Sequence, residues 1–186
     1  MIIDCPLESN QIYLRSLELS DATITYASWL SDPEVLKYLE VRFSPPQTPD
    51  LLKKFITQCN ISADVLLLGI FLNNDRRHIG NIKLGPVDWN HKSADIGLLV
   101  GEKSEWGKGL ASMAISLVTD YAFSHLRLCK LTASCYADNE GSLKAFLRAG
   151  YAMEGRRRSQ WQAGNDRQDS LLIGKINPVL RPTPAE

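Results

Sequence analysis

The segment Ala94 to Ser112, ADIGLLVGEKSEWGKGLAS, carries residue types and a spacing suited to binding an anion. Its apolar run, Ile96 to Val100, reads as a buried strand. A short charged loop follows, and Gly107-Lys108-Gly109 then opens a helical pattern that continues to about His125. Strand, Gly-rich turn and helix N-terminus in succession make a phosphate site. The glycines let the backbone approach closely, the first N–H groups of the helix lack partners within it, and the helix dipole has its positive end there. The expected ligand is phosphorylated.

The elements that position this turn can be read from hydrophobic periodicity. Ile12 to Leu17 suits a first strand, and Ser20-Asp21 caps a helical segment running to Trp29. Ser31-Asp32-Pro33-Glu34 starts a second helix, with Pro at an early position and Glu in the first turn. The Pro-rich stretch Ser44 to Pro49 is a loop, and Asp50 to Cys59 a further helix. Strands Val65–Leu72 and His78–Leu84, joined by Asn73 to Arg77, form an antiparallel hairpin, and Ala94–Val100 extends it into a meander.

After the turn the topology changes. Apolar residues at 110, 113, 114, 117, 118, 121 and 122 have the three-and-four spacing of an amphipathic helix. Arg127 to Tyr136 then alternates as a strand. Strand, crossover helix and strand give a right-handed βαβ unit with a parallel pair. A short helix, Glu140–Ala149, ends at Gly150 as its left-handed cap. Strands at Tyr151–Gln162 and Asp169–Ile176 close the fold. The expected architecture is a single α+β domain over residues 1–176, with a frayed tail at 177–186.

Bulk properties narrow the function classes. The 186 residues are 44% apolar, enough for one full core. Lys+Arg and Asp+Glu balance at 21 each, so no global field favours nucleic acid or an anionic membrane. The longest apolar stretch, Val65 to Leu72, is too short to span a bilayer. The opening MIIDCPLESN has no basic region ahead of an apolar one, so it does not read as a signal peptide. Cys5, Cys59, Cys129 and Cys135 show neither CxxC spacing nor His partners, and read as reduced structural thiols without a metal in a cytoplasmic protein.

The order of elements, together with three separate stretches, resembles the GNAT N-acetyltransferase superfamily, in particular the branch that acetylates ribosomal-protein N-termini. The acetyl-CoA loop of that family, Q/R-x-x-G-x-G/A, is matched by Trp106-Gly107-Lys108-Gly109-Leu110-Ala111 at Gly109 and Ala111, with Trp106 in place of Gln or Arg. Asn139-x-x-Ser142 followed by Gly150-Tyr151 matches a second segment. Gly164 in a terminal hairpin, followed by Asp169, is the third. Trp29 to Val35 adds a softer likeness, and the whole covers roughly Ile12 to Ile176.

The resemblance implies the GNAT fold: a mixed, mostly antiparallel central sheet with a βαβ acetyl-CoA-binding unit and a splayed parallel strand pair. It implies acetyl-CoA as cosubstrate, its pyrophosphate on the N–H groups of Trp106 to Ala111. The pantetheine arm would lie in the splay against backbone groups near Leu99 and Val100, one of which polarises the thioester carbonyl. An amine attacks directly, a base takes its proton and an acid protonates the thiolate. Asn139 caps its helix and touches the cofactor arm. Phe146, in the same cofactor-contacting set, stands where many members place a Tyr acid. Ser142 on the same helix is the candidate acid in its place, ahead of Tyr136 and Tyr151, and Asp95 is the candidate base.

Other residues have blander readings. Glu102 and Glu105 read as solvated loop charges; His78, His91 and His125 as exposed or core-satisfied; Trp29, Trp89 and Trp161 as packing residues that could alternatively line the acceptor cleft. Arg156-Arg157-Arg158 reads as a solvated strand edge, or as a contact for an acidic substrate or the 3′-phosphate of CoA. A dinucleotide-binding protein is the first rival, but the third Gly of its fingerprint is Ser112 here. A non-catalytic acetyl-CoA sensor is the second. The acceptor reads as a small amine such as an amino sugar, or as a protein N-terminus, contacted by loops at Pro45–Asp64 and Gln162–Gln168. Pairing of the last strands offers a route to a homodimer.

Overall fold

The computed structural model describes residues 1–179. One eight-stranded sheet runs through the molecule in the order β1-β2-β3-β4-β5-β6-β8-β7. The strands are β1 (Leu7–Glu8), β2 (Ile12–Ser16), β3 (Leu66–Leu72), β4 (His78–Asp88), β5 (Ser93–Val100), β6 (Lys130–Tyr136), β7 (Ala152–Ala163) and β8 (Asp166–Ile176). All neighbours are antiparallel except β5 and β6. This is the expected α+β arrangement of a meander followed by a βαβ unit. Two-residue β1 is too short to show in a periodicity reading.

Helices cover both faces. α1 (Ile24–Trp29), α2 (Pro33–Leu36) and α3 (Pro49–Ile61) lie on one side, and α4 (Leu110–Ser124) and α5 (Glu140–Arg148) on the other. The uniform apolarity of β3 follows from this. Leu66, Leu68, Ile70 and Leu72 face the α4–α5 core while Leu67 and Phe71 face the α1–α3 core, so all seven residues are buried. Each fully buried Leu or Ile contributes about 1.5–3 kcal/mol from burial of its side chain, and Ile115 and Val118 on α4 anchor that helix to the sheet.

Three expectations need correction. The cap of α1 is Thr23, whose Oγ1 accepts from the Tyr26 N–H at 3.1 Å. Asp21 is instead held by Arg15 through two bonds of 2.7 and 2.8 Å and ends a separate 3-10 turn. The helix expected over Asp50–Cys59 is α3 and runs longer, Pro49–Ile61, with Thr48 as cap and Pro49 in the first turn, so the stretch Pro45–Asp64 is a loop only at its ends. Asn177, assigned to a frayed tail, is buried: its N–H donates to Cys129 O at 2.8 Å and its side chain to Leu128 O at 3.0 Å. The rest of the expected tail, 180–186, lies outside the described residues. Among the described residues no helix is long and apolar enough to cross a membrane.

The two halves of the fold meet at Gly101, just past β5, where a Cβ would enter the ring of the buried Trp29. Gly101→Ala is expected to lower the unfolding free energy by about 1–3 kcal/mol through overpacking. Chemical denaturation reads this directly, and an unchanged midpoint would show that the Trp29 ring gives way freely.

Candidate active site

The site begins where two strands part. β5 and β6 pair only over Ser93–Asp95 and Lys130–Thr132. Beyond that point β5 follows β4 as far as Val100, while β6 follows β8 as far as Tyr136. Each strand is held by its outer neighbour, so the twist of the sheet opens a wedge between them. Backbone groups in a strand alternate in direction. The Gly101 N–H donates to Ile79 O at 2.9 Å and the Leu99 carbonyl lies against Gly80, so both point to β4. The peptide groups of Leu98 and Val100 therefore face the wedge. Leu98 takes the place that the sequence reading gave to the Leu99 backbone, and the Leu99 side chain packs toward the α1–α3 core.

The Gly-rich turn closes the wide end of the wedge. Gly107 and Gly109 have φ of 77° and 81°, and a Cβ at either would meet open space. Glycine is required there by backbone conformation, not by crowding. Gly109 is the N-cap of α4 and supplies no side-chain acceptor, leaving the first N–H groups of a fifteen-residue helix exposed to a ligand. Trp106 gives its departure from the family motif a structural use: its Nε1 donates to Val100 O at 2.7 Å, tying the turn to the end of β5.

Beneath the turn, Glu105 is not the solvated charge expected from sequence. Its side chain is 8% exposed and bridges Lys108 at 2.9 Å and Arg77 at 3.0 Å. The Lys108 ammonium, followed by the Arg77 guanidinium against the opposing effect of burial, holds its carboxyl below the ordinary value of 4.5. The Lys108 side chain is thus directed to Glu105, and only its backbone belongs to the turn. Lys103 joins the same loop to α2 through Asp32 at 2.8 Å and Glu34 at 2.5 Å.

The remaining wall is α5. The Asn139 side chain caps it, accepting from the Ser142 N–H at 3.1 Å, and Ser112 Oγ on α4 donates to Ala145 O at 3.0 Å. The resulting cleft encloses about 750 Å³. Of the residues expected at the site, Leu99, Val100, Trp106, Gly107, Gly109, Leu110, Ala111, Asn139 and Ser142 line it. Tyr38 of the 37–39 segment, which no motif marks, lines it too.

Three expected residues are outside the lining: Lys108, whose side chain is turned to Glu105, and Phe146 and Asp95. Phe146 is 2% exposed and packs edge-on against Tyr151 at 5.2 Å, inside the α4–α5 core and away from the cleft lining. Asp95 is outside the lining as well. It sits at the apex of the wedge, accepts a hydrogen bond from Thr132 Oγ1, and neighbours Gly97, whose Cβ direction is open. Tyr151 is buried with its hydroxyl 2.8 Å from Thr119 Oγ1. His78 is a core residue: Nε2 lies 2.9 Å from both Gly80 O and Asn81 Oδ1, and burial lowers its pKa. Trp29 is buried and Trp89 exposed. Cys59 and Cys135 are buried, where burial raises their thiol pKa values.

Comparison with known proteins identifies the family and the fold. The profile of the acetyltransferase (GNAT) domain matches residues 11–152. The uncharacterized N-acetyltransferase p20 of Bacillus licheniformis is 29% identical over 151 residues, covering 80% of this chain and 83% of its own. Ribosomal-protein-S5-alanine acetyltransferase from Vibrio fischeri superimposes with a TM-score of 0.83 at 20% identity, covering 96% of this chain and 100% of that one. The spermidine N-acetyltransferase of Vibrio cholerae, solved with CoA and spermine, gives 0.79 at 20% identity over 91% of this chain and 97% of that one. The family match spans most of the chain, which belongs to the GNAT acetyltransferases. It is an acetyl-CoA-dependent N-acetyltransferase. The antiparallel meander ahead of the βαβ unit removes the dinucleotide-fold rival.

Because the folded-state pKa of Glu105 is depressed, its ion pairs stabilise the protein above the ordinary carboxylate range and are lost as pH falls through the lowered value. In Glu105→Gln the stability gap to wild type is expected to be widest at neutral pH and to shrink on acidification past 4.5. Denaturation midpoints across that range check it. A gap independent of pH would mean that the carboxylate charge is not what holds the turn.

Proposed function

We propose that the chain transfers acetyl directly from acetyl-CoA to a primary amine, the acceptor being a small amine such as an amino sugar, with a protein N-terminus as the alternative. The wedge between β5 and β6, opening onto the turn at Gly107–Gly109, is the observation that carries this reading. Pyrophosphate rests on the N–H groups of the turn, and the pantetheine arm pairs along the wedge edge of β5. The Leu98 or Val100 amide receives the negative charge that develops on the thioester oxygen. Holding amine and thioester together supplies much of the rate enhancement, with no covalent intermediate on the enzyme.

Ser142 serves as the acid that protonates the departing thiolate. Its backbone is fixed by Asn139 at the first turn of α5 and its residue lines the cleft. Asp95 serves as the base, taking the proton of the incoming ammonium through water, since it stands at the wedge apex and not in the cleft wall. Phe146 is buried and its phenyl ring has no proton to give, so the acid falls to Ser142.

Acetyl-CoA and CoA at about 100 times their Kd should stabilise the protein by roughly 2.7 kcal/mol, raising Tm by several degrees, while NAD and NADP should not. Ser142→Ala is expected to lower kcat by about 10²- to 10⁴-fold at unchanged KM for acetyl-CoA. A normal kcat in that variant would remove Ser142 from the chemistry. A CoA-dependent shift without turnover of any amine would favour a sensor.

A further inference from the structure

Arg42 forms no ion pair among the described residues and is instead held by neutral acceptors from distant parts of the chain. The guanidinium is half-buried in the 3-10 turn Glu40–Phe43. It donates to the Lys37 carbonyl, to Tyr136 Oη at 2.7 Å and to Gln162 O at 2.8 Å, all neutral acceptors. Its carbon lies 5.0 Å from the ring centroid of Tyr136 and 4.6 Å from that of Phe43. Removing a cation from water without an anion is costly even when its N–H groups are satisfied.

The same corner holds three buried polar atoms without partners: Trp161 Nε1, Ser170 Oγ and Gln168 Oε1. They are neighbours of the Arg42 contacts. The Trp161 ring stacks on Tyr136 at 5.4 Å, Ser170 is the β8 register partner of Tyr136, and Gln168 that of Trp161. Ser170 is 1% exposed. Unpaired buried groups are rare, and each calls for a missing partner. Two of the three can donate, as can the guanidinium. The oxygens of an anion are the acceptors that such donors lack, and Gln168 Oε1 lacks an N–H or O–H donor. Tyr38, whose ring lies 5.5 Å from Tyr136, also lines the acetyl-CoA cleft, so the corner borders the place where the amine must react.

We infer that Arg42, with Trp161 Nε1 and Ser170 Oγ, forms an acceptor subsite for an anionic group, so that the amine acetylated here also carries a carboxylate or a phosphate. Glu40 opens the same turn and acts on Tyr136 from there without forming an ion pair with Arg42, and the Asp138 carboxylate accepts from Gln168 Nε2 at 2.7 Å. To reach Trp161 and Ser170 the acceptor must displace Arg42 from Tyr136 and Gln162, which frees the guanidinium for the anion. The inference rests on the acetyltransferase reading above, and it selects against polyamines, which bring positive charge to an unpaired cation.

The test uses matched amines that differ only in the anion: a hexosamine against its phosphate, and ω-amino carboxylates of increasing length against the corresponding alkylamines. Wild type should favour the anionic member of at least one pair by about 10- to 100-fold in kcat/KM, and whether that pair is a phosphate or a carboxylate identifies the source of the charge. Arg42→Gln should bring the ratio near one while KM for acetyl-CoA and the acetyl-CoA thermal shift stay as in wild type. Ser170→Ala, which removes an unpaired hydroxyl, should cut the ratio several-fold without lowering Tm. Equal rates within every pair, a polyamine as best substrate, or a preference that survives Arg42→Gln would overturn the inference and leave the acetyltransferase reading standing. No turnover of any amine would instead overturn both.

Discussion

Three residue pairs of parallel sheet, Ser93 to Asp95 against Lys130 to Thr132, govern the rest of this molecule. Had the pairing continued, β5 and β6 would have used up each other's hydrogen-bonding groups and left a flat, closed sheet. Because β4 and β8 each hold one of the two strands along its full length, the pairing stops and the backbone of Leu98 and Val100 is left facing a gap. The strength of the outer ladders is therefore what makes an inner opening affordable in a buried sheet, and the two-sided cover of β3 and β4 by helices supplies that strength.

Around this opening the polypeptide sets charge with economy. The cofactor turn relies on peptide dipoles and on two glycines in the left-handed region, while the ionised side chains nearby are turned on each other: Glu105 with Lys108 and Arg77, Lys103 with Asp32 and Glu34. A site built this way would present donors to phosphate, as proposed above, without flexible cations whose ordering would cost entropy on binding. The side chains shape the loop, and in the proposed function recognition falls to its backbone.

The sequence made much of this legible, for identifiable reasons. The three-and-four spacing over 110 to 122 and the glycines at 107 and 109 are local signals, and α4 with its turn lies where they place it. The β3–β4–β5 meander is equally local, since short connections constrain the pairing. What escaped depends on distant partners. Ser20-Asp21 has the form of a cap, but Arg15 claims Asp21 and Thr23 takes over. Glu105 resembles any loop acid until Arg77, 28 residues away, is brought beside it. Arg42 meets Tyr136 and Gln162 across 94 and 120 residues. The exchange of Leu99 for Leu98 is of another kind: alternation along a strand is readable, but which alternate set faces which neighbour is decided by the register with β4.

The bond from Trp106 to the Val100 carbonyl fixes more than a loop. It joins the point where a pyrophosphate would sit to the strand end where a thioester would lie, through an indole that cannot stretch. In the proposed function the cleft would thus act as a ruler with both marks on one rigid piece. On the same reading, the parts that would distinguish one acceptor from another lie beyond the far mark, on α2, the turn at Glu40–Phe43 and the β7–β8 hairpin. Those parts can be exchanged wholesale without changing the ruler, so a change of substrate need not disturb the cofactor.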